Sequence, residues 1–221
     1  MSVKIGDEVQ SRFPGLTILL TSLTGLTVAK SDSRLEEFKK QVLQEVSGEY
    51  KLEALKDVYL FSVYRDFFWG IGIDPTKTRP ASEALIRRVL AGKPIPQINT
   101  LVDAYNLASI KTGIPLAAFD ADTVTGELQA RFAQPDEEFS GIGMDKPVNL
   151  KGGEIVLTDD EKLVAIYPHR DSDKTKVQES TRNILLLTCG APEVSADTLL
   201  KAEQTAVDYI IKFCSGQQQQ K

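Results

Sequence analysis

Cysteine and histidine are scarce in this chain of 221 residues, which contains two cysteines and one histidine. A structural zinc site usually takes four ligands of these types, and a disulfide framework needs several cysteine pairs. Cys189, Cys214 and His169 are too few for either. We therefore expect no metal and no structural disulfide, and a reducing, cytoplasmic location. No motif indicates another cofactor.

Long apolar runs and an opening secretion signal are also missing. No stretch of eighteen apolar residues occurs, and the N-terminus lacks a charged segment followed by an apolar one. We expect a protein that neither spans a membrane nor is secreted.

Common catalytic motifs are absent as well. There is no G-x-S-x-G sequence and no Walker loop. Gly141-Ile142-Gly143 lacks the third glycine of a dinucleotide fingerprint. His169-Arg170-Asp171 resembles part of a kinase loop, but Lys176 stands where that loop needs asparagine. The sequence therefore excludes a G-x-S-x-G hydrolase, a P-loop protein, a dinucleotide-binding enzyme of this type and a protein kinase.

The chain also lacks an excess of basic residues, since its formal net charge is -5. This disfavours non-specific binding to nucleic acid, DNA included, because such binding depends on neutralising phosphates. One local surplus occurs between Asp74 and Lys93, where five bases face two acids. The bases are Lys77, Arg79, Arg87, Arg88 and Lys93. A solvated face is the common explanation, so any RNA contact should be local and sensitive to salt.

The elements that are present predict an α+β fold in a single domain, with a mixed or antiparallel sheet packed with helices. Alternating or continuous apolar residues predict strands within 16–28 and at 116–119, 127–132, 154–158, 162–167 and 184–188, the last in a central position. Helical spacing predicts helices at about 31–48, 52–69 and 197–213. We assign residues 1–216 to the domain and expect the low-complexity tail, 217–221, to be disordered.

The segment from Arg79 to Asn106 predicts two helices joined by a stiff turn. Gly92 ends the first helix, and Pro94 and Pro96 keep the connection extended. In the second helix Asn99, Asp103 and Asn106 recur at i, i+4 and i+7, so they share one face. That face can bind a ligand rich in hydroxyls or phosphates. The alternative is a solvated face with a structural cap.

The sequence of this segment resembles that of a known family. SEALIRRVLAGK (82–93) and INTLVDAYNL (98–107) are similar to the B3/4 domain, the tRNA-editing domain of the phenylalanyl-tRNA synthetase beta subunit, and to free-standing prokaryotic proteins built from it. Further similar short motifs are Gly72–Pro75, Thr112–Pro115, Phe119-Asp120, Gly153-Glu154, Asp159-Asp160 and Arg170–Ser172. The resemblance extends from about Tyr64 to Leu187 and implies the editing-domain fold.

The resemblance also implies an activity, hydrolysis of the ester that joins a wrong amino acid to tRNA. Such a site needs a positioned water and donors for the developing oxyanion rather than a nucleophile. This sequence contains no synthetase core, so editing would occur in trans, on the acceptor end of a charged tRNA. The alternative is a non-catalytic module of the same fold that binds RNA or an amino acid.

We choose candidate site residues because they fall in these matching motifs or because their side chains suit the chemistry. As catalytic candidates we take Asn106, Glu154 and His169, the last as a general base near neutral pH. For substrate binding we take Asn99, Asp103, Gly141, Gly143 and Arg170, and for tRNA binding Arg87, Arg88 and Lys93. Each has a structural alternative, such as a strand-end charge for Glu154 or an ordinary loop for the glycines.

Aromatic residues cluster in the predicted helix 52–69. Tyr59, Tyr64, Phe67, Phe68 and Trp69 can form core, the usual outcome at helical spacing, or they can offer a stacking surface for adenine or for an aromatic amino acid.

Overall fold

Strands and helices fill most of residues 3–219, the part of the chain that the computed structural model describes. The strands are β1 (Lys4–Ile5), β2 (Ile18–Thr24), β3 (Leu116–Asp120), β4 (Gln129–Phe132), β5 (Glu138–Phe139), β6 (Val148–Asn149), β7 (Ile155–Thr158), β8 (Leu163–Ile166), β9 (Arg170–Asp171), β10 (Ile184–Cys189) and β11 (Gln217–Gln218). The α-helices are α1 (Asp7–Arg12), α2 (Ser33–Glu49), α3 (Tyr59–Gly70), α4 (Ala81–Leu90), α5 (Thr100–Thr112) and α6 (Ala196–Cys214).

Strand β10 occupies the centre of an antiparallel sheet with the order β11-β2-β10-β3, as its apolar sequence predicted. Both faces of this strand are covered, because successive side chains point to opposite sides. Leu186 belongs to the apolar core shared with α2, α5 and α6. Leu187 belongs to the core shared with α3 and with strands β7 and β8. The four-stranded sheet is therefore the middle layer of the fold.

A second sheet has the order β1-β4-β7-β8-β9 and is mixed, since β1 pairs with β4 in parallel and the other neighbours are antiparallel. The strands predicted at 154–158 and 162–167 are confirmed, and they form the hairpin of β7 and β8. Its turn is held by Asp159, whose Oδ1 accepts hydrogen bonds from the backbone N–H groups of Glu161 and Lys162 at 2.9 and 2.8 Å. The predicted α+β class is likewise confirmed.

Two buried tyrosines join the layers at the end of β10. The hydroxyl of Tyr64 on α3 donates a hydrogen bond to the carbonyl of Cys189 at 2.6 Å. The hydroxyl of Tyr167, just after β8, donates one to the carbonyl of Gly190 at 2.6 Å. These bonds satisfy polar groups that burial would otherwise penalise, and they hold both α3 and the second sheet against the end of β10.

Two sequence predictions differ from the structure. The helix predicted over 52–69 is divided, because Val58 adopts an extended backbone between a 3₁₀ helix (Leu52–Asp57) and α3. The tail is ordered at its start, where Gln217 and Gln218 pair with β2. Gly216 makes this approach possible: its φ is 89°, and a β-carbon there would lie 2.7 Å from the Thr24 carbonyl oxygen. Residues 220 and 221 of the predicted disordered tail lie outside the described residues.

The helix pair predicted between Arg79 and Gly113 is confirmed as α4 and α5. Gly92 and Gly113 adopt positive φ values of 64° and 73° after the two helices, a conformation that glycine tolerates best. Across residues 3–219, no helix combines the length and the apolar character needed to cross a membrane.

Candidate functional site

A cleft of about 490 Å³ opens where α3 ends beside the start of β7 and the end of β8. Its lining combines apolar side chains with a few polar ones: Arg12, Ile71, Gly72, Ile73, Leu150, Lys151, Gly152, Gly153, Glu154, Ile155, Ile166, Tyr167 and His169. Small-molecule sites are typically concave, mostly apolar and furnished with few polar groups. Within residues 3–219, no group of three or more His, Cys, Asp or Glu side chains is placed to bind a metal ion.

Glu154 presents a partly unsatisfied carboxylate at this cleft. Its Oε1 accepts a hydrogen bond from the Lys151 backbone N–H at 3.0 Å. Its Oε2 is buried and has no hydrogen-bond partner within the described residues. Gly152 and Gly153, both with positive φ, form the turn that precedes it. Because a buried carboxylate oxygen without a partner is costly, Oε2 is well suited to accept a hydrogen bond from a bound ligand or water.

His169 also lines the cleft, so the structure brings together two of the three catalytic candidates. Burial and, as the smaller cause, the charge of Arg170 together lower the pKa of its imidazole to about 4. The ring is therefore neutral at pH 7. Its Nδ1 is buried without a partner among residues 3–219, and the ring packs edge-on against Phe68 at 6.4 Å between centroids. A neutral imidazole can accept a hydrogen bond, but its lowered pKa makes it a weak base.

The polar face predicted on α5 lies elsewhere. Asn99 is the N-cap, and its Oδ1 accepts a hydrogen bond from the Val102 backbone N–H at 2.9 Å. Asp103 accepts one from the Ile98 N–H at 3.0 Å and lies 3.7 Å from the Lys39 ammonium. Both carboxamide and carboxylate are buried and serve the start of the helix. Asn106 is half-buried, and among residues 3–219 α5 contributes nothing to the cleft lining.

Gly141 packs directly against the side chain of Arg170 on β9. A β-carbon at position 141 would lie 2.7 Å from Cγ of Arg170, so only glycine fits this packing. The Ile142 N–H donates to the Asp171 carbonyl at 2.9 Å, and the Gly141 N–H faces the Met144 sulfur at 3.2 Å. Gly143 has a φ of 76° in the turn that follows. The structure thus joins these candidates into one loop packed on β9.

Asp171 is a candidate that the sequence reasoning missed. Within the described residues it forms no ion pair with its sequence neighbour Arg170, because adjacent strand residues point to opposite faces. Burial raises the pKa of the Asp171 carboxyl to about 6, against the opposing influence of Arg170. The charge of Asp171 in turn adds to the burial that raises the pKa of Tyr105 on α5. Strand alternation is the one sequence signal that could have indicated this carboxyl.

The five bases of the local surplus line one shallow groove of about 430 Å³, which we call the basic groove. Its lining consists of Leu52, Lys77, Arg79, Ala84, Arg87, Arg88, Ala91 and Lys93. Three of these bases also have structural partners. The Lys77 ammonium lies 3.7 Å from the Asp74 carboxylate. Arg87 donates to Glu83 at 2.6 Å, and Arg88 donates to the Pro94 carbonyl at 2.8 and 3.1 Å. The residues predicted to bind tRNA therefore share one surface.

The cleft and the basic groove are neighbours. Ile73 belongs to the cleft and Lys77 to the groove, and only three residues separate them along the chain. Four residue steps of extended chain span at most about 14 Å. The actual path is shorter, because the Lys77 N–H donates a hydrogen bond to the Asp74 carbonyl at 3.1 Å and closes a turn.

Comparisons with known proteins agree with this architecture. Residues 63–215 match the model of the B3/4 domain. The chain is 38% identical over 88 residues to the phenylalanine--tRNA ligase beta subunit of Psychrobacter arcticus, and 32% identical over 120 residues to that of Fusobacterium nucleatum. These matches cover 40% and 54% of this chain but only 11% and 15% of the two subunits.

A solved structure shows the same fold. The N-terminal fragment of the phenylalanyl-tRNA synthetase beta-subunit from Pyrococcus horikoshii superposes with a TM-score of 0.53 at 12% identity. The superposition covers 98% of this chain and 50% of that fragment. Since the family match extends over more than half of the sequence and includes the cleft residues from Ile71 to His169, the chain belongs to the B3/4 domain family.

Proposed function

We propose that this protein hydrolyses the ester bond of a mischarged aminoacyl-tRNA and acts in trans. The observation that supports this most is the position of the cleft: Glu154 and His169 line it, and the basic groove adjoins it. These two residues and the five bases of the groove all lie within the segment that matches the B3/4 domain. The relatives are named as phenylalanine--tRNA ligase beta subunits, which makes the acceptor end of tRNA the natural partner.

The chemistry requires a water molecule and a way to hold the amino acid. Water attacks the ester carbonyl, the bond to the ribose oxygen breaks, and that oxygen takes up a proton. Oε2 of Glu154 is a free acceptor that suits the substrate ammonium or a side-chain hydroxyl. The neutral His169 ring suits a hydrogen bond to the attacking water. Because the ester is already activated, positioning supplies much of the rate enhancement.

The basic groove would hold the phosphates next to the ester. Lys77, Arg79 and Lys93 line it together with Arg87 and Arg88. A chain of net charge -5 does not attract RNA through its overall electrostatic field. This groove would therefore account for most of the salt-sensitive binding of RNA.

A second candidate is a non-catalytic module that binds an amino acid or an RNA end. Two observations favour it. The cleft lining contains no serine, threonine or cysteine that could act as a nucleophile among the described residues. The pKa of His169 is also too low for an efficient base at neutral pH.

Ester loss from a panel of correctly and incorrectly charged tRNAs separates the two candidates. The deacylase predicts selective loss from at least one mischarged tRNA, reduced in Glu154→Gln. Glu127→Gln, which changes an exposed glutamate outside the cleft, serves as the matched control. If no charged tRNA loses its amino acid faster with folded protein than without it, the hydrolase proposal fails and the binding module remains.

A further inference from the structure

Two of the six aromatic side chains of α3 face solvent. Tyr64, Phe67 and Phe68 belong to the core and are at most 4% exposed. Tyr59, at the start of the helix, is 66% exposed, and Trp69, near its end, is 56% exposed. A large exposed indole is unusual on a surface that needs no partner. The two exposed rings differ in what lies next to them.

Trp69 lies at the edge of the cleft. Its carbonyl accepts a hydrogen bond from the Gly72 N–H at 3.1 Å, and Gly72 lines the cleft. The next residue, Ile73, is held to the Phe68 carbonyl at 2.8 Å and lines the cleft as well. The turn that begins at Trp69 is therefore part of the cleft wall.

Trp69 is also linked to the basic groove. Arg65 precedes it by four residues, so the two side chains are neighbours on one face of α3. Arg65 donates to Glu83 at 2.8 and 2.6 Å, and Arg87 donates to the same carboxylate at 2.6 Å. Arg87 in turn lines the groove. The face of α3 that bears Trp69 thus continues through Arg65 and Glu83 to the groove.

We propose that Trp69 stacks on a nucleobase of the single-stranded 3′ end of tRNA. This inference deepens the proposed function and rests on it. An exposed indole at the turn that enters the cleft wall, and one helical turn from Arg65, can hold a base while the basic groove holds the phosphates. Aromatic stacking beside a cationic groove is the usual combination in proteins that bind single strands. Stacking there would direct the end of the strand, and the ester on it, toward Glu154 and His169.

The test uses intrinsic fluorescence, because Trp69 is the sole tryptophan of the chain. The protein is titrated with an uncharged RNA hairpin that ends in single-stranded CCA, and with the same stem cut blunt. Stacking predicts quenching of Trp69 emission by the CCA hairpin and little quenching by the blunt stem at equal occupancy, with occupancy measured separately by fluorescence anisotropy of labelled RNA. Bound CCA hairpin without quenching would overturn the proposal.

Variants sharpen the result. Trp69→Ala is expected to weaken binding of the CCA hairpin about tenfold or more, and Trp69→Phe to restore most of it, since stacking on an aromatic ring is worth that much per base. Tyr59→Ala removes the other exposed ring of α3 and should bind like the parent protein. Equal affinity of the Trp69→Ala variant and the parent protein for the hairpin would contradict the inference.

Two further ligands identify what stacks. Adenosine monophosphate should quench Trp69 weakly, whereas free phenylalanine should not. Quenching by phenylalanine and not by RNA would instead assign the indole to amino-acid recognition and overturn the proposal. Uncharged RNA contains no aminoacyl ester, so failure of the hydrolase assay leaves this binding test valid. Loss of quenching with intact ester hydrolysis removes the role of Trp69 alone.

Discussion

Nε of Arg87 lies 2.6 Å from Oε1 of Glu83, a carboxylate whose side chain has no solvent-exposed surface. Arg65 donates to both oxygens of the Glu83 carboxylate, and Arg87 donates to Oε1 alone. The bonds from Arg65 tie α3 to α4. Burial acts to raise the pKa of Glu83, but the hydrogen bonds from Arg65 and Arg87 outweigh it and lower the pKa below its usual value. One buried acid thus orients Arg87 of the basic groove and Arg65 of α3.

Glu83→Gln is expected to lower the free energy of unfolding by on the order of 2 to 3 kcal/mol, because it removes the charge that two partly buried guanidinium groups share. Urea denaturation at pH 7 measures this loss. Glu53→Gln, which changes an exposed glutamate in the 3₁₀ helix, should leave the free energy of unfolding nearly unchanged. Equal stability of the two variants would show that the ion pairs contribute no net stability.

The basic groove predicts a specific salt dependence. Arg88→Ala and Lys93→Ala should each weaken RNA binding and reduce the slope of log affinity against log salt by about one, since each removes one phosphate contact. Lys201→Ala, which changes an exposed lysine of α6, is the matched control. Filter binding of an uncharged tRNA from low to moderate salt measures the slope. Unchanged slopes in both groove variants would place the RNA on another surface.

Much of the fold could be predicted because its signals are local. The helix pair α4 and α5, the central β10 and the hairpin of β7 and β8 each have a clear apolar pattern and turn residues that match it. Strands of two residues, such as β1, β9 and β11, have no such pattern. They form because a neighbouring strand offers backbone partners, as β2 does for Gln217 and Gln218.

The candidate site was harder to predict, since it depends on which side chains the fold has already engaged. Asn99 and Asp103 do share a helical face, but the start of α5 binds both through backbone N–H groups. Glu154 and His169 are 15 positions apart and line the same cleft because β7 and β8 are antiparallel neighbours. Asp171 follows Arg170 in the sequence, but strand geometry points the two side chains to opposite faces.

Asp171→Asn should stabilise the protein at neutral pH and much less at pH 4. The carboxyl has a pKa of about 6 in the fold and a usual value of 3.8, so the folded state retains its proton longer than the unfolded state does. Stability is therefore lost as pH rises from about 4 to about 6 and stays reduced above that range. The asparagine removes this loss, which corresponds to about 3 kcal/mol. Thermal unfolding at pH 4 and pH 7 measures the difference, and an equal effect at both values would contradict it.

His169→Gln should show the opposite dependence on pH. The imidazole has a pKa of about 4 in the fold and 6.5 ordinarily, so the unfolded state takes up a proton first as pH falls. The parent protein then loses stability between about 6.5 and 4, again by about 3 kcal/mol. Glutamine does not titrate, so the variant should keep that stability.

The two titrations overlap between pH 4 and 6 and have opposite signs, so their two contributions to the stability of the parent protein largely cancel there. Removing His169 leaves the Asp171 contribution, and stability of that variant should fall as pH rises through the window. Removing Asp171 leaves the His169 contribution, and stability should rise with pH. Urea denaturation of the three proteins at half-unit pH steps measures these slopes. Parallel profiles for all three would mean that neither group is buried as the structure has it, and the cleft wall at His169 would have to be open to water.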